Sequence, residues 1–236
     1  KDGSVLRYRY NPDGSLREQL SPEGGTTTFS YTSEGQIDTI VDASGTTTAY
    51  TYDQATGRMV SAVQQRDGQQ LAAVSYVYDV AGNISVIDRG DAGSSQYAHD
   101  DAGRVTTETH LAGDGTVIAA YEYVYTSAGK VETETATIRD ETGTQIQHST
   151  RYGYDTEGRL ISSRVVDGAD PETGTLVTGS QYTYDLASNL TSVLTTVRDA
   201  DGTEQTTQTS YRHDATSRTI AVIRDGIETP QEYDGH

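Results

Sequence analysis

Apolar and aromatic positions alternate with polar ones along most of the chain, and Gly-containing turns interrupt the alternation at regular intervals. Tyr8-Arg9-Tyr10 sets the pattern: a period of two puts both rings on one face of a strand and Arg9 on the other. Asn11-Pro12-Asp13-Gly14 follows, with a turn-opening Asn, a Pro of preset φ and a Gly able to take positive φ. That order predicts a type I turn closing with a bulge. Residues 15–20 return as the partner strand, and Ser21-Pro22-Glu23-Gly24-Gly25 turns the chain again.

The unit recurs. Each copy has two aromatic slots two residues apart, an Asp-like residue, two variable residues, Gly, a polar residue and an aliphatic one. Nine copies are readable, with second slots at Tyr10, Tyr31, Tyr52, Tyr78, His99, Tyr125, Tyr154, Tyr184 and His213, spaced by 21, 21, 26, 21, 26, 29, 30 and 29 residues. The first slots are Tyr8, Phe29, Tyr50, Tyr76, Tyr97, Tyr123, Tyr152, Tyr182 and Tyr211, so 16 of the 18 aromatics stand in repeat positions. Periods of this length signal stacked repeat units.

Most copies keep the turn of the first, as Asp79 with Gly82 and Asp155 with Gly158 illustrate, while Asp53 to Gly57 carries one extra residue. Ser188 and Ser217 replace Gly in the last two copies. Ser tolerates positive φ poorly, so those turns are expected to be strained or of another type. A second set of turns, among them Asp42-Ala43-Ser44-Gly45, Asp67-Gly68 and Asp225-Gly226, separates the copies. Two turns per period mean two antiparallel strands per period. The predicted fold is all-β, a repetitive antiparallel hairpin meander forming a curved or spiralling strip, with the aromatics stacked in a stripe along one face. The longer C-terminal periods predict longer strands there. Residues 167–174, with Asp170-Pro171 inside, are too long and polar for a tight turn and are expected to project as a loop.

Composition changes this picture little. Few aliphatic residues and a net charge of -18 would ordinarily flag disorder, but Tyr and Thr at period-two positions supply the missing strand-forming bulk. The 17 basic residues are scattered among 35 acidic ones, which argues against nucleic acid as a partner. The acidic excess reads as a solvated, aggregation-resistant surface. Without Cys there is neither a disulfide framework nor thiolate chemistry. No apolar run is long enough to span a membrane, so no membrane insertion by this segment is expected. A start at Lys1 inside a turn and an end at Tyr233-Asp234-Gly235, like a repeat opening, suggest one array over 1–236, without internal boundary, cut from a longer protein.

Tyr-x-Tyr-Asp-x-x-Gly-Arg-Leu, most complete over residues 152–160, resembles the YD-repeat, or Rhs-repeat, family, and the resemblance covers essentially the full chain. The family includes bacterial toxin-complex cocoons, Rhs polymorphic toxins, wall-associated proteins and teneurins. The resemblance implies a β-strip spiralling into a hollow, non-enzymatic shell of a secreted or surface protein of bacterial origin. Its partners would be the remainder of the shell and an enclosed C-terminal effector or toxin domain. The family's core motif with self-cleaving Asp residues is not recognisable here, so autoproteolysis is carried over to no residue.

Candidate chemistry is sparse. The five His residues have no metal-ligand spacing, and no cofactor motif, nucleophile elbow or phosphate loop occurs, so neither cofactor, metal nor catalytic residue is assigned. The repeated Asp residues read as turn caps, because they recur where catalytic carboxylates would be singular. The positions assigned to the repeat framework are Tyr8, Tyr10, Gly14, Tyr52, Asp53, Tyr78, Asp79, Gly82, Tyr152, Tyr154, Asp155, Gly158, Tyr182, Tyr184 and Asp185. Asp199-Ala200-Asp201-Gly202 looks like the opening of a calcium loop without its later ligands, and reads as a turn. Arg89-Gly90-Asp91 spells a receptor-binding tripeptide in an inter-repeat segment, the candidate binding loop of an adhesive module. Asn83-Ile84-Ser85 and Asn189-Leu190-Thr191 are glycosylation sequons that arise from the repeat itself. The Tyr row has two readings, packing between strands or, if exposed, stacking on carbohydrate.

Overall fold

The computed structural model describes residues 5–231, so Tyr233-Asp234-Gly235 lie outside the described residues. The described chain is all-β, with 19 strands and one three-residue 3-10 turn, Gly90–Ala92. It divides into two compact units, Lys1–Val117 and Ile118–His236.

The first unit holds β1 (Arg7–Tyr10), β2 (Leu16–Leu20), β3 (Thr26–Tyr31), β4 (Ile37–Val41), β5 (Thr47–Tyr52), β6 (Met59–Arg66), β7 (Gln69–Tyr78), β8 (Ile84–Asp88), β9 (Ser94–His99) and β10 (Val105–Leu111). Within this unit consecutive strands pair antiparallel, from β1 with β2 to β9 with β10. The second holds β11 (Val117–Tyr125), β12 (Val131–Arg139), β13 (Gln145–Tyr154), β14 (Leu160–Asp167), β15 (Thr175–Tyr184), β16 (Leu190–Arg198), β17 (Glu204–His213), β18 (Thr219–Arg224) and β19 (Ile227–Pro230), paired in the same consecutive way. Strands reach ten residues in β13, β15 and β17, against four to six in the first five, following the lengthening of the period.

The turn chemistry explains the regularity. In the first copy the Gly14 amide donates to the Asn11 carbonyl at 3.0 Å, Gly14 takes a φ of +87°, and the ladder shifts register between Arg9 and Tyr10. This is the type I turn with a bulge at the second aromatic slot, and the shift recurs at Tyr31, Tyr52, Tyr78, Tyr154, Tyr184 and His213. Asp67-Gly68 and Asp225-Gly226 close their hairpins with two residues of positive φ each, the type I′ geometry.

There is little interior. Ala119, Val166 and Ala221 are the buried apolar residues among those described, all in the second unit. A single sheet layer offers each side chain neighbours on its own face only, so most apolar groups are half-covered. Along β15, exposed Gln181 and Thr183 alternate with half-buried Tyr182 and Tyr184. First-slot rings lie opposite apolar partners in several hairpins, Tyr76 against Ile87 and Tyr182 against Val193. Such cross-strand pairs contribute roughly 0.2–1 kcal/mol each.

Residues 167–174 fold back instead of projecting. Arg164 donates to the carbonyls of Pro171 and, at 3.2 Å, Gly174, while Asp170 accepts from the Glu172 amide at 2.9 Å and the Thr173 hydroxyl at 2.6 Å.

Candidate functional site

The repeated element that the sequence singles out becomes, in three dimensions, a joint between consecutive repeats. Its first half is the turn. Asp155 Oδ1 accepts the amides of Glu157 at 3.0 Å and Arg159 at 2.8 Å, and its Oδ2 takes Arg159 Nε at 2.7 Å. Asp100 with Arg104 and Asp214 with Arg218 repeat the arrangement, whereas Asp79 and Asp185 use the side-chain amides of Asn83 and Asn189. Partial burial pushes the Asp155 carboxyl up, but the amide and guanidinium of Arg159 outweigh it and hold the group below the usual carboxylate range. At Asp79 and Asp185 the Asn side chains are the main cause of the same depression. Asp53, in the longer turn, is depressed chiefly by the Thr56 hydroxyl 2.7 Å away.

The second half joins one repeat to the next. Tyr31, Tyr52, Tyr78, Tyr154 and Tyr184 donate their phenolic hydroxyls to the carbonyls of Leu16, Ile37, Met59, Val131 and Leu160, at 2.8, 2.8, 2.7, 2.9 and 2.8 Å. Each acceptor is the first residue of the return strand that follows the preceding repeat's turn, so the same position is used every time. The residue just before the acceptor reaches across too. Arg58, Lys130 and Arg159 place their cations 5.5, 5.3 and 4.9 Å from the ring centres of Tyr78, Tyr154 and Tyr184, and Gln36 donates to the Gly57 carbonyl at 2.7 Å. Each ring is thus held at its hydroxyl and, in three cases, over its face.

At two turn glycines these arms add crowding to the positive φ. A Cβ on Gly82 would lie 2.0 Å from the Arg58 guanidinium, and one on Gly158 would lie 2.8 Å from Lys130 Cε. Ser188 and Ser217 keep the ordinary turn, each with a φ of +64° and the same 3.0 Å amide bond to the turn Asp carbonyl. They are strained and not of another type. At Ser188 the hydroxyl accepts Arg159 at 3.0 Å, a contact that glycine lacks.

His99 occupies a Tyr slot but has no hydroxyl to donate. Its ring is nearly buried, and Nδ1 stands 3.4 Å from the Asp79 carboxylate of the preceding turn. His213, in the equivalent slot, adds a small electrostatic contribution to the depression of the Asp185 carboxyl, after the Asn189 hydrogen bonds. The first-copy rings, Tyr8 and Tyr10, are 48% and 59% exposed.

Elsewhere the candidates resolve into turns. Asp199 accepts the amides of Asp201 at 3.1 Å and Thr203 at 2.8 Å. In both sequons the Asn side chain is engaged by the turn Asp, at 3.1 Å for Asn83 and 2.9 Å for Asn189. Arg89, Gly90 and Asp91 are exposed in the short turn between β8 and β9. There Arg89 is tethered to the Ser95 hydroxyl at 3.2 Å, and the Asp91 backbone packs so close to Gly113 that a Cβ on that Gly would lie 2.2 Å from its carbonyl oxygen.

One polar chain escapes sequence reasoning. Ser95 Oγ meets His110 Nδ1 at 3.0 Å, and His110 Nε2 meets Glu108 at 3.0 Å. It depends on the register that sets Ser95 opposite His110, which residue order alone does not reveal. Ser95 is only 3% exposed, so an electrophile has no approach to its hydroxyl. Among the described residues no group of three or more His, Cys, Asp and Glu is placed to hold a metal ion, and no helix is long and apolar enough to cross a membrane.

No protein-family model matches the sequence, and no curated protein matches it. Solved structures do. The Tc holotoxin pore of Photorhabdus luminescens aligns over 93% of this chain and 15% of its own, at 12% identity and a TM-score of 0.43. TcdB2-TccC3 without its hypervariable C-terminal region aligns over 99% of this chain and 16% of its own, at 14% identity and a TM-score of 0.39. A porin-like protein from Bacteroides uniformis aligns over 97% and 91%, at 13% identity and a TM-score of 0.33. The chain therefore spans under a fifth of the length of the two toxin structures.

Proposed function

We propose that this chain is a non-enzymatic segment of a large secreted or surface-exposed YD-repeat protein, forming part of the wall of a hollow β-shell that encloses or presents a toxin or effector domain. The observation that carries the reading is the joint, in which the same Tyr hydroxyl reaches the same carbonyl position of the preceding repeat five times over. A contact made only with the next repeat extends an array without limit, since each unit needs nothing but its neighbours. A wall is built that way, whereas a catalytic centre is assembled once, from singular residues. The partners on this reading are further copies of the repeat and a domain held behind them.

Electron microscopy and limited proteolysis of the full-length protein that contains this segment test the proposal. The expected result is a closed, hollow particle in which one segment resists protease until the shell is breached. An extended rod cleaved evenly along its length would overturn it. A second reading, adhesion, has the exposure of Arg89, Gly90 and Asp91 in its favour; loss of cell attachment on Asp91→Glu is the result it requires.

A further inference from the structure

An aspartate followed by glycine can close on itself, because glycine places no Cβ in the way of its own amide nitrogen. Six such pairs lie among the described residues, beginning at Asp13, Asp67, Asp114, Asp167, Asp201 and Asp225. In four of them the glycine amide is committed. Gly14 donates to the Asn11 carbonyl, Gly115 to Ala112, Gly168 to Gln147 and Gly202 to Asp199, at 3.0, 2.9, 2.8 and 3.0 Å. Three of the four carboxylates are engaged too: Asp13 accepts the Ser15 amide at 2.9 Å, Asp114 accepts the Thr116 amide at 2.9 Å, and Asp167 pairs with His148 at 3.0 Å.

Asp67-Gly68 and Asp225-Gly226 differ. Each pair is a complete type I′ turn, closed by Arg66 opposite Gln69 and by Arg224 opposite Ile227. The turn's hydrogen bonds run between the closing residues, and among the described residues Gly68 and Gly226 donate to no backbone carbonyl. Both Asp residues are exposed, and no other described Asp takes positive φ, here +52° and +51°. Left-handed backbone strains a residue that carries a Cβ. Turning out of it relieves energy at these two places, whereas at the other four it breaks a bond.

We propose that Asp67 and Asp225 are modification sites, at which the folded chain forms isoaspartate selectively and without an enzyme. The Gly68 nitrogen attacks Cγ of the protonated Asp67 carboxyl. An N–C bond forms, the bond from Cγ to the hydroxyl oxygen breaks, and that hydroxyl leaves with the amide proton as water. Water then opens the succinimide at either carbonyl, restoring aspartate or leaving isoaspartate, whose backbone runs through Cβ and Cγ. Gly226 and Asp225 react in the same way. At Asp13 and Asp114 the protonated form is scarcer as well, since the Ser15 hydroxyl and the Thr116 amide are the main causes that hold those carboxyls below the usual carboxylate range.

A two-residue turn has no room for the added backbone atom, so the product should disturb Arg66 against Gln69 and Arg224 against Ile227. It also presents a displaced carboxylate, the group that an isoaspartyl methyltransferase esterifies from S-adenosylmethionine. An enzyme of that class is the partner these turns would attract. The reaction requires only the two hairpins and stands apart from the shell reading.

The test is ageing of the intact protein at neutral pH, with peptide mapping by mass spectrometry and methylation of the aged chain by an isoaspartyl methyltransferase. Peptides containing positions 67 and 225 are expected to gain an isomer of unchanged mass about fivefold faster or more than the other four, the factor set by one net backbone hydrogen bond. In urea-unfolded chain all six should react at similar rates. Asp67→Glu keeps the charge but gives the wrong ring size, so methylation should vanish from that peptide and persist at position 225. If Asp67→Glu does not fold, Asp225→Glu makes the reciprocal test. Equal rates at all six sites in the folded chain, the same preference in unfolded chain, or methylation of the position-67 peptide surviving in Asp67→Glu would each overturn the proposal.

Discussion

The hydroxyl of Tyr184 donates to the carbonyl oxygen of Leu160 at 2.8 Å, across 24 residues of sequence. The Arg159 guanidinium lies 4.9 Å from the centre of the same ring, so one side chain is fixed by two consecutive residues of the preceding repeat. A half-buried hydrogen bond of this kind contributes about 1 kcal/mol net. Tyr184→Phe should therefore lower stability by about 1 kcal/mol, read as a shift in urea midpoint, and should speed amide exchange in β15. His99→Tyr should act in the opposite sense by restoring a hydroxyl where the repeat otherwise has one. A destabilised His99→Tyr would show that the slot is shaped for imidazole.

Glycine substitutions separate backbone strain from crowding. Gly35 and Gly82 both take positive φ, at +81° and +89°, but a Cβ on Gly35 meets open space, whereas one on Gly82 strikes the Arg58 guanidinium. Gly35→Ala should cost about 1–2 kcal/mol, the left-handed penalty alone. Gly82→Ala should cost more, and Arg58→Ala in the same chain should remove the excess. Equal losses at the two positions, measured by thermal melts, would mean that the arginine yields freely.

The fold was legible in the residues because both of its determinants are local. A period of two marks the strands, and Asx-x-x-Gly marks the turns, down to the bulge at Tyr10. The joint was not legible, since it links residues 15 to 24 apart whose approach depends on register. Position 159 shows the difference. Arg, Lys, Gln and Asn alternate at that place, which suggests that any polar residue suffices. In three dimensions the place has two tasks, closing on its own Asp and reaching the next repeat: Arg159 does both, Gln36 reaches Gly57, and Lys130 reaches Tyr154. For the two Ser turns the residues leave strain and another turn type open, and strain is what is found, because the turn's own hydrogen bonds hold the backbone at positive φ.

Acid should act late. The carboxyls of Asp79, Asp100, Asp155, Asp185 and Asp214 all titrate below their ordinary value in the folded chain. A depressed carboxyl stabilises the fold above its unfolded value, about 3.9, and loses that contribution as pH falls through the lower folded value. Circular dichroism should show the strands intact at about pH 4 and failing only below it. Asp155→Asn combined with Asp214→Asn should make the acid limb shallower. A cooperative loss centred above the usual carboxylate range would contradict this account.

Base should act through the tyrosine joint. Burial is the main cause that raises the Tyr52 hydroxyl above its ordinary value, with Tyr50 and Asp38 adding to it. Its proton is the one donated to the Ile37 carbonyl at 2.8 Å, so ionisation removes the donor and sets a negative charge against an acceptor. A raised group contributes fully below its unfolded value, about 10, and the contribution is lost as pH rises through the folded value. Urea denaturation of the native chain and of Tyr52→Phe should therefore differ by a constant amount from neutral pH to about pH 10. Above that the native chain should lose its advantage and then fall below the variant, because phenylalanine has no proton to lose. A difference that stays constant through the alkaline limb would mean that the hydroxyl does not hold the two repeats together.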